Sequence, residues 1–145
     1  MSAAIEENLD LALDFAKIAK VASTDRAVVP VVLQHVDTCD VLFVGYANEL
    51  ALRTSLDERI AVLWSTSRNE LWRKGATSGD VLELHEVRVN CEQNSLLYLV
   101  RPVNPGVCHT VGADGITRSS CYYRQVVASD ELVFVDRHKA EPASS

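Results

Sequence analysis

Four cysteines and one adjacent histidine carry most of the chemical potential of this sequence: Cys39, Cys91, Cys108 and Cys121, with His109 directly after the third. Reduced thiols serve as zinc ligands, as nucleophiles, or as inert small residues in a core. The intervals between Cys91, Cys108 and Cys121 are long and irregular, unlike the paired C-x-x-C knuckles of a zinc finger. Spacing alone therefore leaves metal, catalytic and core roles open. His109 by itself reads equally well as a hydrogen-bonded structural histidine. A second concentration lies in residues 67–79, SRNELWRKGATSG. Arg68, Arg73 and Lys74 are joined there by Trp72, Thr77, Ser78 and two glycines. Cations with hydroxyls suit phosphate oxygens, and glycines let backbone amides approach a ligand. A solvated loop would have the same composition.

The elements that must position these residues follow from periodicity. Residues 3–21 read as one amphipathic helix, with Ile5, Leu9, Ala12 and Ala16 at helical spacing, Leu13 and Phe15 behind them, and Ser2 as cap. Residues 27–35 read as a strand in which Pro30 argues for an edge or an irregularity. After a polar turn at 37–40, residues 41–46 form its hairpin partner. Residues 47–57 have helical character, with Asn48 as cap and Leu50, Leu52 and Leu56 as apolar positions. A short strand follows at 60–64, then a long ordered loop at 65–79. In residues 81–91 the alternation changes phase, which predicts a bulge near His85. Strands are expected at 95–100, 121–128 and 131–136, a turn at 104–106, and a polar, disordered tail at 138–145. These elements predict a single α+β domain over 1–145, mostly β, with a mixed or antiparallel sheet and a few helices.

Composition sets the partners. The chain has 145 residues, 20 acidic and 14 basic, for a formal charge of -6. That field disfavours nucleic acid and anionic membranes. No apolar run approaches the roughly 20 residues that span a bilayer. The first ten residues carry Glu6, Glu7 and Asp10 and no basic residue, unlike a secretory signal, so a reducing cytoplasm is expected. A chain this short buries a limited share of its surface, which favours oligomerisation.

Beyond these readings, the segment SRNELWRKGATSG resembles the S-R-x-x-L-W-x-K-G-x-T-S-G block of phosphoribosyl-AMP cyclohydrolases. CHT at 108–110, followed by TRSSCYYR at 117–124, is similar to that family's C-H-T-G-R-x-S-C-F-Y-R block. VVPVVLQHVDTCDVLFVGYANELAL resembles its opening hairpin and helix. The likeness runs over residues 28–124 with the blocks in order. It implies a homodimer with active sites shared at the interface, and a zinc ion held by Cys91, Cys108 and Cys121 drawn from both subunits. Three thiolates leave a fourth position for water, whose pKa the metal lowers. The implied reaction is hydrolytic opening of the N1–C6 bond of phosphoribosyl-AMP in histidine biosynthesis, with His109 as general acid or base. Arg68, Trp72, Arg73, Lys74, Thr77, Ser78, Arg118 and Arg124 are then candidates to hold the nucleotide and its two phosphates.

The sequence departs from the family pattern in three places. The family's D-C-D-x-D, associated with magnesium, is Asn90-Cys91-Glu92-Gln93-Asn94 here, so Glu92 alone keeps a carboxylate. Magnesium prefers charged oxygen ligands, and its binding should weaken greatly. Residues 111–116 are inserted before Thr117, with Asp114-Gly115 suited to a hairpin tip. Cys39 stands where the family has a turn glycine, which argues against a ligand role for it. The lost carboxylates and the insertion also motivate a second reading, a diverged paralogue that binds a nucleotide or acts on another substrate; a third is a zinc-stapled dimer without catalysis.

Overall fold

The computed structural model describes residues 2–23, 27–112 and 114–135. The expected tail at 138–145 lies outside them, as does Asp136. The chain divides into two compact units, Ala16–Cys121 and Met1–Phe15 with Tyr122–Ser145.

In the larger unit, α2 (Lys17–Ser23) precedes a hairpin of β1 (Val29–His35) and β2 (Val41–Ala47), then α3 (Glu49–Glu58), β3 (Val62–Ser65), β4 (Glu70–Arg73), β5 (Leu82–Val89) and β6 (Leu96–Pro102). A four-stranded sheet has the order β2-β1-β6-β5, and β3 pairs with β4 in a second, two-stranded sheet. Only the β1–β6 ladder is parallel; the others are antiparallel. The expected mixed, mainly β architecture with few helices is what the strands form. Period-two burial builds the core: Val31 and Leu33 of β1 and Tyr98 and Val100 of β6 are fully buried, with Leu63 and Leu82 against them.

Two irregularities decide which side chains point inward. In β5 the register shifts between Leu84 and Glu86, so His85 is the bulged residue. Leu82 and Leu84 before it and Val87 after it therefore pack on the same core. In the β1–β2 pair the register shifts between Leu33 and Gln34, leaving Leu42 as the extra residue, and the consecutive Leu42 and Phe43 are both buried. Pro30 was expected to mark an edge or an irregularity. β1 is an interior strand whose pairing with β2 has a register shift, and Pro30 stands one residue before the ladder to β6 begins at Val31. Cys39 takes the left-handed conformation of the hairpin turn (φ 65°) and is exposed, in keeping with a turn residue.

The helix α3 is capped by Asn48, whose side chain accepts from the Ala51 amide at 2.8 Å. Its inward face is made by Ala51 and Ser55, and of the three apolar positions read from sequence Leu52 packs against the core while Leu50 and Leu56 are about half exposed. Residues 65–79 are not one loop. They contain β4, which folds back on β3 with Leu63 opposite Trp72.

In the smaller unit, α1 (Ser2–Glu7) is followed by an extended segment, and β7 (Arg124–Ala128) pairs antiparallel with β8 (Glu131–Phe134). The helix expected over 3–21 is thus two short helices. The Asn8 side chain accepts from the Asp10 amide. Residues 9–11 then bond to the β7–β8 hairpin, with Leu132 N donating to Leu9 O and Leu11 N to Asp130 O. Strand bonding replaces the helical bonds there despite the helical spacing of apolar residues. The strand expected from 121 begins only at Arg124.

Candidate functional site

The site is built on the loop after β6 and on the chain running back toward β2. Val107 and Cys108 both donate their amides to the carbonyl of Arg118, and the Arg118 amide donates to the Thr110 carbonyl. This main-chain clamp closes the base of the insertion. Val111 pairs with Thr117, Gly112 N donates to Ile116 O, and Gly115 turns at φ 79°. The insertion is therefore the hairpin tip its Asp114-Gly115 pair suggested. Asp114 spends Oδ1 on the Ile116 amide at 3.0 Å and does not line the cleft described next. At the far end, the Cys121 amide donates to Leu42 O, which ties Cys121 to β2.

These anchors bring Cys108 and Cys121 together despite the intervening insertion. Cys108 is buried, and its Sγ lies 3.1 Å from the Thr110 hydroxyl. Its pKa is lowered to about 5 by a hydrogen bond from the Cys121 thiol first, then by bonds from the Thr110 hydroxyl and main chain and by the nearby His109, against the opposing effect of burial. A thiol in that range is ionised at neutral pH. His109 stands beside it on the wall of a cleft of about 740 Å³.

Residues 68, 70–78 and 80 line the same cleft. Trp72 lies tilted against Phe43 with ring centroids 6.2 Å apart. Lys74 is buried, donates Nζ to the Asp80 carbonyl at 3.2 Å, and has its pKa lowered by burial, opposed by the charges of Asp80, Cys121 and Cys108. Gly75, at φ +82°, packs on the main chain of Asp80 and Val81. That glycine is required by the protein's own backbone rather than by approach to a ligand. Arg68 pairs with Glu70 at 3.0 Å, and Arg73 makes a two-pronged pair with Glu58 through Nε at 3.0 Å and Nη2 at 2.7 Å. The Ser78 hydroxyl accepts from the Asp80 amide at 3.3 Å.

Nine of the residues expected from sequence therefore line one cleft: Arg68, Trp72, Arg73, Lys74, Thr77, Ser78, Cys108, His109 and Cys121. Arg118 does not line it; its main chain serves as the clamp. Arg124 belongs to the smaller unit, where Nη1 donates to the carbonyls of Ile5 and Asn8 and the guanidinium lies 5.1 Å from the Tyr123 ring centre. Cys91 and Glu92 are exposed in the β5–β6 turn and do not line the cleft. Cys108 and Cys121 are sulfur donors of the kind zinc takes. Among the described residues of one chain, no cluster of three or more His, Cys, Asp or Glu could hold a metal. Sequence reasoning missed Thr110, which supports Cys108, and the acids Glu58, Glu70 and Asp80 beside the cations. Thr110 was visible within the CHT motif, whereas the partner of Arg73 lies on another element.

Residues 43–123, more than half of the chain, match the family described as phosphoribosyl-AMP cyclohydrolase. The chain is similar to a phosphoribosyl-AMP cyclohydrolase of Archaeoglobus fulgidus, with 40% identity over 102 residues, 70% of this chain and 88% of that one. It is 30% identical to one of Chlorobaculum parvum over 138 residues, 95% of this chain and 94% of that one, so this likeness extends beyond 28–124. It is also 40% identical over 125 residues to the histidine biosynthesis bifunctional protein HisIE of Pasteurella multocida, spanning 80% of this chain but 59% of that longer protein. A motif-bearing cleft and matches of this extent agree: the chain belongs to the phosphoribosyl-AMP cyclohydrolase family.

Proposed function

We propose that this protein hydrolyses the N1–C6 bond of phosphoribosyl-AMP, as an enzyme of histidine biosynthesis, using a zinc site completed by a second copy of the chain. The observation that carries the reading is the joining of two sequence blocks in one cleft. The Cys108–Cys121 pair with His109 shares the cleft with the cations, hydroxyls and Trp72 of residues 68–78. In this reading Cys108 and Cys121 would hold zinc together with Cys91 of the partner subunit. Zinc bound there would supply a polarised, acidified water for attack on the ring.

The chain's own residues do the rest. Ionised Cys108 brings negative charge to the site without a proton having to leave first. His109 takes a proton as the water oxygen bonds to C6, and returns it to N1 as the N1–C6 bond breaks. Trp72 and Phe43 offer an apolar wall to the purine. Arg68, Lys74, Thr77 and Ser78 bind the phosphates, and Arg73 approaches them with its orientation set by Glu58. In this reading Cys91 comes from a second subunit, since it does not line the cleft of its own chain.

Purified protein supplied with zinc and phosphoribosyl-AMP should open the ring, followed by ultraviolet absorbance, and Cys108→Ser and Cys121→Ser should each lower kcat by more than about 100-fold. No turnover under any divalent metal overturns the reading. Stabilisation by another purine nucleotide without turnover would favour the diverged-paralogue reading. Zinc removal that abolishes activity but leaves a folded dimer would exclude a purely structural metal.

A further inference from the structure

The turn between β5 and β6 carries Cys91, and it is closed by amides. Asn90 Oδ1 accepts from the main-chain amides of Asn94 and Ser95, each at 2.9 Å. Two donors converging on one atom fix which end of the Asn90 amide is oxygen. Its Nδ2 therefore faces Asn94, whose Oδ1 accepts from it at 2.7 Å. The Gln93 amide donates to Asn90 O, and Gln93 takes the left-handed conformation (φ 55°) that brings the chain back. Cys91 and Glu92 thus sit inside a loop whose two ends are joined side chain to side chain.

The chemistry of the two positions matters here. A carboxylate at 90 could still accept from both main-chain amides. It could not donate to position 94, because an ionised carboxylate has only acceptor atoms. Two carboxylates would bring two oxygens to hydrogen-bond distance with like charge, and a cation or a shared proton between them would be needed to hold that geometry. The amide pair holds it with no net charge. The residues present do not suit magnesium, which takes charged oxygens in a near-octahedral shell. Asn90 has spent its oxygen on the main chain, and Glu92 is the only carboxylate of the turn.

We propose that Asn90 and Asn94 are positioning residues for Cys91, forming a neutral clasp that does the work of a divalent cation, so that this protein needs no magnesium to present Cys91. The link to metal binding rests on the reading of Cys91 as a zinc ligand; the clasp itself does not.

Three preparations of the full-length protein test this: wild type, the double variant Asn90→Asp with Asn94→Asp, and Cys91→Ser. Free Mn2+ is followed by electron paramagnetic resonance as protein is added. The sulfur-to-cobalt absorption of the Co2+-loaded protein reads the thiolate site, and Tm is read with and without millimolar Mg2+. Wild type should leave Mn2+ free at millimolar concentration and show the same Tm and cobalt band in either buffer. The double variant should take up Mn2+, and without Mg2+ it should lose several degrees of Tm and part of the cobalt band, both regained when Mg2+ is added. Specific Mn2+ uptake by wild type, or a wild-type cobalt band that needs Mg2+, overturns the proposal. So does a folded double variant indifferent to Mg2+. Should the double variant fail to fold, the wild-type arms decide alone. A cobalt band unchanged in Cys91→Ser would reject the ligand reading, while the Mn2+ and Tm arms still judge the clasp.

Discussion

Gly75 lies directly on the main chain of Asp80: a Cβ at position 75 would stand 2.2 Å from the Asp80 carbonyl carbon and 2.4 Å from its oxygen. The contact fixes the cleft wall, because the same Asp80 carbonyl receives the buried Lys74 ammonium. Gly75→Ala must move main chain against main chain and also strain a residue at φ +82°. A loss of about 2–5 kcal/mol is expected from strain and overpacking together. Urea unfolding measures it. Gly79→Ala is the control, since its φ is also positive but its Cβ would meet only the Asn104 side-chain amide at 3.6 Å. It should cost about 1–2 kcal/mol.

Ser55 joins α3 to β3 from a fully buried position. Its single O–H is shared between Ala51 O and Val62 O, and its oxygen accepts from Val62 N at 2.9 Å. In Ser55→Ala the Val62 amide and carbonyl lose this partner. Leaving buried polar groups unpaired should cost about 2–4 kcal/mol, while Ser55→Thr keeps the hydroxyl and tests overpacking. Thermal unfolding of both variants checks the ordering, with alanine worse if the hydrogen bonds dominate.

Much of this was legible where a local rule controls the outcome. The phase change around His85 announced its bulge, because burial of Leu82, Leu84 and Val87 on one face admits no other register. Asn48 declared its helix by capping chemistry. The rules failed where pairing is tertiary. Pro30 is tolerated in an interior strand because it precedes the β6 ladder. The strand β4 was hidden in a polar stretch, since four residues are too few to show a period. At the site, the residue types of both blocks were readable, and their convergence followed only from the resemblance. The partners that tune them were not readable, because Glu58 meets Arg73 across 15 residues and two elements.

That pair makes its own prediction. Glu58 holds Arg73 by two bonds, and each partner reports the contact: the hydrogen bond to Arg73 lowers the Glu58 pKa, and the reciprocal bond raises that of Arg73. Glu58→Gln frees the guanidinium to sample other rotamers before substrate binds. Ordering one such side chain on binding costs entropy, which should appear as a rise in KM of about two- to tenfold. The chemistry is untouched, so kcat should stay within about twofold. If Glu58 instead repelled the substrate phosphates, KM would fall. Steady-state kinetics of Glu58→Gln and Arg73→Lys decide between the two signs.

The Cys108 thiolate gives stability a pH dependence in the metal-free protein. Its folded pKa, about 5, lies below its ordinary value of 9.0 because of hydrogen bonds from Cys121 and then Thr110. The unfolded chain therefore binds the proton more tightly than the native protein. Stability rises with pH wherever the unfolded state holds more protons. The contribution is present in full above pH 9, shrinks as pH falls, and is gone below about pH 5. Cys121→Ala removes the largest cause and should raise the Cys108 pKa more than Thr110→Val does. Thiolate absorbance titrated on metal-free protein reads both shifts, and urea unfolding across the same range should flatten in Cys121→Ala. Unchanged titration in both variants would mean that neither neighbour donates to the Cys108 sulfur. A steep stability profile surviving in Cys108→Ser would assign the pH dependence to other groups.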